Sequence, residues 1–153
     1  MNVKFINPLL ESTIRVLNTM AFMEIEPGKP QIKKDKTVNG DVTGLIDLKG
    51  AGISGWMALS FEKATILGVV KNMLGDDLDD IDETVADCVG EITNMVTGGA
   101  KADYANLDID IDLARPVVLV GRDQELECSQ PGQSILLPFR AACGTLCLEF
   151  FFN

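Results

Sequence analysis

Glu91 and Asn94 are the residues of this chain whose types and spacing could do chemistry. They lie three positions apart in Asp87-Cys88-Val89-Gly90-Glu91-Ile92-Thr93-Asn94-Met95, so on a helix their side chains reach one target together. A carboxylate can pair with a cation, and a carboxamide, being both donor and acceptor, can orient a water. Those are the parts needed to assist a hydrolysis whose electrophile and metal sit on another molecule, as a glutamine orients the attacking water in GTPases. At about 100° per residue, Asp87, Glu91, Asn94, Gly98 and Lys101 share a sector roughly 80° wide. A solvated helix face is the bland alternative. Against it, Asn94 is a poor helix former with no capping role in mid-helix. Gly90 and Gly98 could also clear space for an incoming surface.

Composition narrows what else is available. The chain has 153 residues, 46% of them apolar, enough for the core of one ordinary domain. A formal charge of −10 with no histidine argues against nucleic acid or an anionic membrane as partner, since both need a basic footprint. Without histidine, Ser-His-Asp and Cys-His nucleophilic machinery and mixed zinc sites are excluded. Cys88, Cys128, Cys143 and Cys147 include no C-x-x-C pair and read as reduced thiols, with Cys143 and Cys147 sharing a face if both lie in one strand. The N-terminus lacks a signal-peptide pattern and no apolar run approaches a membrane span. The expectation is a soluble, cytoplasmic, single-domain protein spanning 1–153.

The active-looking face needs a frame. The apolar residues Ile81, Val85, Cys88, Ile92 and Met95 form the buried stripe of a helix over about Asp80–Tyr104. Gly98 and Gly99 inside it should cost roughly 1 kcal/mol each relative to alanine. An amphipathic helix is expected over about Asn2–Phe22, with Val3, Ile6, Leu10, Leu17 and Met20 as its stripe and Pro8 at the first position of its regular part. Pro27-Gly28-Lys29-Pro30 is a turn. Lys33, Asp35 and Thr37 fit an exposed edge strand, closed by an Asn39-Gly40 hairpin. Strands over 42–48 and Ile53–Phe61, joined at Gly50-Ala51-Gly52, complete an antiparallel meander. Ser60 is placed to cap a helix carrying Ala64, Leu67, Val70, Met73 and Leu74, with Gly75 as its terminator. The acidic run 76–80 suits the N-terminus of the following helix. After it come an alternating segment at 107–112, a strand over Pro116–Val120, a turn at Pro131-Gly132, and strands over Ser134–Cys143 and Thr145–Phe152 around Gly144. The element order is α-βββ-αα-ββ(β), an α+β fold with three helices over one face of a mainly antiparallel sheet. The Phe150-Phe151-Phe152 end, apolar on both faces, reads as a strand covered on both sides.

A family likeness runs through the same residues. Gly55-Trp56-Met57-Ala58-Leu59-Ser60-Phe61, Ala64, Lys71-Asn72-Met73-Leu74-Gly75 and the helix Asp87-x-x-Gly90-Glu91-x-x-Asn94-Met95-x-x-Gly98-x-Ala100-Lys101 resemble the chemotaxis phosphatases CheX and CheC, relatives of the flagellar switch protein FliY. Pro116-Val117-Val118 and Gly144-x-x-x-Leu148 extend the likeness over roughly the whole chain. The resemblance implies a CheC/CheX-like fold and a substrate that is the phospho-aspartate of a CheY-type response regulator. It implies that Asn94 orients the attacking water and that Glu91 pairs with the regulator's lysine. Asp87, Gly98 and Lys101 would be partner-binding surroundings, and Mg2+ would belong to the regulator, with no cofactor or metal of this chain's own. CheC-like members carry the motif twice, whereas here the first helix offers Asn7, Glu11 and Ile14, with isoleucine where the amide should be. That favours the single-site CheX-like branch, whose members resemble homodimers built through the sheet. A non-catalytic module that docks a regulator or builds a flagellar-switch-like assembly is the alternative.

Overall fold

The structure, a computed structural model, describes residues 3–127 and 133–152. Cys128 and the Pro131-Gly132 turn lie outside the described residues, as does the side chain of Val3. In order, the elements are α1 (Val3–Ala21), β1 (Glu26–Pro27), β2 (Gln31–Lys33), β3 (Val42–Gly50), β4 (Ile53–Phe61), α2 (Lys63–Leu74), α3 (Glu83–Ala105), β5 (Ile111–Leu113), β6 (Val117–Val120), β7 (Ser134–Ala141) and β8 (Gly144–Phe152). The strands form one sheet in the order β1-β7-β8-β4-β3-β5, with β2 also on β7 and β6 also on β3. The described pairings are antiparallel. The expected α+β architecture, three helices on a mainly antiparallel sheet, is the observed one.

The helices share one core with one sheet face. Val42, Ile46, Leu48, Met57, Leu59, Phe61, Leu146, Leu148 and Phe150 meet Leu9, Leu17, Ile66, Val69, Val89, Ile92 and Val96 there. Contact is closest at Gly44, where an added Cβ would lie 2.0 Å from Thr93 Oγ1. Only glycine lets α3 lie this low on β3. Asp82 caps α3, its Oδ1 accepting from the Val85 N–H at 3.1 Å, and Gly75 ends α2 in the left-handed region with φ 75°.

Several local expectations are corrected by long-range pairing. Asn39-Gly40 makes no hairpin, because β2 pairs with β7 and not with β3. Gly40 is there for space: its Cβ would lie 2.7 Å from the Phe61 carbonyl oxygen. The meander is therefore reduced to the β3–β4 hairpin, turning between Gly50 and Ile53. Lys33 is buried instead of lying on an exposed edge. Ser60 does not cap α2, since β4 continues through it and its Oγ lies 2.8 Å from Thr43 Oγ1 inside the sheet. The start of α2 is served from outside the helix, where Asp41 Oδ2 accepts from the Lys63 N–H at 2.6 Å.

Pro8 sits inside α1, not at its first position. The preceding turn is held from across the bundle, where the Tyr104 hydroxyl donates to the Phe5 carbonyl. The buried face of α1 runs through Leu9, Ser12, Thr13, Val16, Leu17 and Ala21, while Met20 is exposed. Two polar positions join that face because their hydroxyls are satisfied, Thr13 by the Leu9 carbonyl at 2.7 Å and Ser12 by the Val96 carbonyl at 2.6 Å. In α2 the buried face is Thr65, Ile66, Val69 and Val70; Ala64 and Leu74 are exposed. The segment expected at 107–112 becomes strand only from Ile111. β7 and β8 turn through Ala142 and Cys143, so Gly144 already pairs with Ala141 and Cys143 shares no strand with Cys147.

The other face of the sheet has its own cover. Val38, Leu45, Trp56, Ala58 and Leu126 cluster there, with Leu119 and Phe151 packed against them. The segments that bring in Val38 and Leu126 pair with each other through Val38 N–H to the Gln124 carbonyl at 3.1 Å and Leu126 N–H to the Lys36 carbonyl at 2.7 Å. This second layer explains why Phe150 and Phe151 are apolar on opposite faces of one strand. Beside it Glu149 is 1% exposed and accepts from Lys33 Nζ at 3.0 Å, Asn39 Nδ2 at 2.6 Å and Ser134 Oγ at 2.6 Å.

Candidate functional site

The polar row lies on the outer face of α3. Asp87, Glu91, Asn94 and Gly98 are exposed and Lys101 is half-buried, so the structure keeps all five expected residues on one accessible strip. Among the described residues neither the Glu91 nor the Asn94 side chain has a hydrogen-bond or ion-pair partner. Both head groups are therefore available to something outside the chain. That availability is costly for Asn94, which gives up about half a kcal/mol of helix propensity relative to alanine without an intrachain bond in return.

The platform under the pair is well packed. Val85, Val89, Ile92, Val96 and Ala100 are buried on the opposite side of α3. Thr93 and Thr97 face inward and return their hydroxyls to the helix, to the Val89 carbonyl at 2.8 Å and the Thr93 carbonyl at 2.9 Å. α1 lies alongside, joined through Ser12 to Val96 and through an Arg15–Asp103 ion pair at 3.6 Å. The two neighbouring glycines have different reasons. A Cβ on Gly99 would lie 2.6 Å from Ser12 Oγ, so Gly99 is required by helix packing. A Cβ on Gly98 would meet nothing within 4 Å. Gly90 falls between, its Cβ making only an ordinary 3.6 Å contact with Val118.

The first helix carries no second copy of this arrangement. Asn7 and Glu11 are exposed on α1, but Ile14 is half-buried and packs against the core. An apolar side chain held in the core has no atom with which to orient a water.

The chemistry open to the α3 face is positioning. Glu91 supplies two acceptor oxygens and Asn94 one acceptor and a two-proton donor. The hydroxyls of Thr93 and Thr97 are buried and committed to the helix. Burial, and secondarily the Glu91 carboxylate, pushes the Cys88 thiol up, so it stays protonated near neutral pH. Burial likewise raises Cys147. No activated nucleophile therefore stands beside the pair among the described residues, and no group of three or more His, Cys, Asp or Glu is placed there to hold a metal ion. No helix among the described residues is long and apolar enough to cross a membrane. The neighbours Val118, Ser12 and Arg15 escape sequence reasoning, because they reach α3 from other elements and leave no periodic signal in it.

Comparison with known proteins places the fold in a family. A CheC-like superfamily protein from Shewanella sp. PV-4 superposes with a TM-score of 0.92 at 45% identity, covering 100% of this chain and 99% of that one. The CheY-P phosphatase CheX of Thermotoga maritima is 27% identical over 128 residues, covering 83% of this chain and 82% of the relative. A chain of a CheX–CheY–BeF3–Mg2+ complex from Borrelia burgdorferi shares the fold, with a TM-score of 0.80 at 22% identity over 99% of each chain. The family model described as chemotaxis phosphatase CheX matches residues 42–140, a span holding α2, α3 and the whole polar row, and this chain therefore belongs to the CheX family.

Proposed function

We propose that the chain is a single CheX-like domain that accelerates hydrolysis of the phospho-aspartate of a CheY-type response regulator in the cytoplasm. The observation that carries this reading is the exposed Glu91–Asn94 pair, unpartnered among the described residues and seated on a well-packed helix in a member of this family. Asn94 reaches toward the acyl phosphate and orients a water in line with it. The water oxygen bonds to phosphorus, the bond from phosphorus to the aspartyl oxygen breaks with its electron pair left on the aspartate carboxylate, and both of the water's protons leave with inorganic phosphate as dihydrogen phosphate. Glu91 accepts the regulator's lysine and so registers the two proteins; Asp87, Gly98 and Lys101 surround the contact. Mg2+ belongs to the regulator, as a CheX–CheY complex carrying that ion allows. An acidic chain, with a net charge of −10, suits the reception of a lysine.

The experiment is the decay of a phosphorylated response regulator with and without the protein. Wild type is expected to shorten the half-life, and Glu91→Ala to raise the half-saturating regulator concentration about tenfold, since an interfacial charge pair is worth roughly a factor of that size or more. If the regulator binds but decays at its own rate with every response regulator of the cell, the protein is the non-catalytic docking or switch-like module.

We further infer a homodimer formed through the sheet. Among the described residues β6 pairs only with β3, and Val117 and Val120 on it are 56% and 49% exposed. An outer strand with apolar side chains in water is a template for a second chain. Sedimentation equilibrium should give twice the chain mass, and a monomer at tens of micromolar would refute it.

A further inference from the structure

We propose that Gly98 is a positioning residue: by having no side chain it lets the regulator's main chain rest directly on α3, and so sets how far the Asn94 amide reaches. The inference rests on the phosphatase reading. Nothing within the described chain asks for glycine at this position. Its φ is not in the left-handed region, it is exposed, and an added Cβ would meet no atom within 4 Å. Gly99 beside it, by contrast, is explained by Ser12. A glycine in the middle of a helix weakens it, so Gly98 is a local cost without a local return.

Its place on the helix says where the return lies. Gly98 projects about 40° from Asn94 and about 20° from Glu91 around the axis, and lies about 6 Å along the axis from Asn94. A side chain there would stand on the approach line to the pair. Near-attack geometry is steep, and a displacement of about 1 Å can cost about a hundredfold in rate. A side chain of several heavy atoms at position 98 would hold the partner away by more than that unless it folded aside. The surface that fits is a length of partner backbone or a small side chain beside the phosphorylated aspartate.

The test uses full-length protein, Gly98→Ala and Gly98→Gln, and one phosphorylated regulator. Both variants are expected to melt about 2–4 °C higher than wild type, because helix propensity improves. Both should nevertheless act more slowly, with kcat/KM lowered at least tenfold for Gly98→Gln and by less for Gly98→Ala. Higher stability with lower activity is a pairing that a merely structural glycine would not give. Gly98→Gln that dephosphorylates as fast as wild type would overturn the proposal, as would variants that lose stability and activity together. If wild type itself fails to accelerate decay, the phosphatase reading falls and this inference with it. An active wild type with an equally active Gly98→Gln removes only the role of Gly98.

Discussion

Asn94→Ala is expected to slow regulator dephosphorylation by about a hundredfold or more while leaving regulator binding nearly unchanged. The magnitude follows from the kind of group removed. Deleting one preorganised dipole aimed at a reacting centre typically costs a factor of about 100–1000, and the proposed mechanism gives the amide the task of holding the water. Binding should survive because the proposed mechanism assigns docking to Glu91 and its surroundings. The control is internal: Asn94 is exposed and, among the described residues, without a side-chain partner, and alanine is the better helix former by about half a kcal/mol. The variant should therefore melt at or slightly above the wild-type temperature, and lost activity could not be ascribed to unfolding. Asn94→Asp sharpens the test, because it keeps size and shape but brings a negative charge to the phosphoryl group. A stopped decay assay at saturating protein would decide it. An Asn94→Ala protein with wild-type kcat would remove the amide from the chemistry and leave the α3 face as a docking surface.

The polar face of α3 was legible in the sequence because the pattern that separates it from the buried face is local. A helix repeats every 3.6 residues, so the spacing of Val85, Cys88 and Ile92 and that of Asp87, Glu91 and Asn94 separate a buried face from an open one. The β3–β4 hairpin was legible for the same reason, its strands being consecutive and its turn glycine-rich. Lys33, Asn39 and Glu149 were not. Each is polar, and a polar residue in a short strand or turn reads as exposed until its partner is known. The buried carboxylate that Lys33 pairs with is 116 positions away, and no local pattern records that distance. Asn39-Gly40 misled by the same route: neither residue takes the positive φ of the expected turn, and β2 pairs with β7 instead of β3. Ser12 and Thr13 escaped because their burial depends on carbonyls that accept their hydroxyls, one of them on α3.

Lys33→Met should cost about 3–5 kcal/mol of stability, the expected loss when one member of a buried ion pair is removed and the other stays charged. Glu149 is 1% exposed and Lys33 9%, so water cannot replace the ammonium. Asn39 and Ser134 would still donate to the carboxylate, but two neutral donors do not balance its charge. Against a typical total of about 5–15 kcal/mol, the variant would stand near the edge of folding. Adding Glu149→Gln tests the cause. A neutral amide still accepts from Asn39, and its NH2 can donate to the Ser134 hydroxyl, so the double variant should recover at least half of the loss. Urea unfolding of wild type, both single variants and the double variant measures the coupling directly. The cluster also separates stability from the proposed catalysis, since it lies on the sheet face opposite the helices and the proposed site is on α3. Lys33→Met assayed well below its melting temperature should dephosphorylate the regulator at the wild-type rate. A rate loss there, with the fold intact, would mean that the two faces of the sheet are coupled.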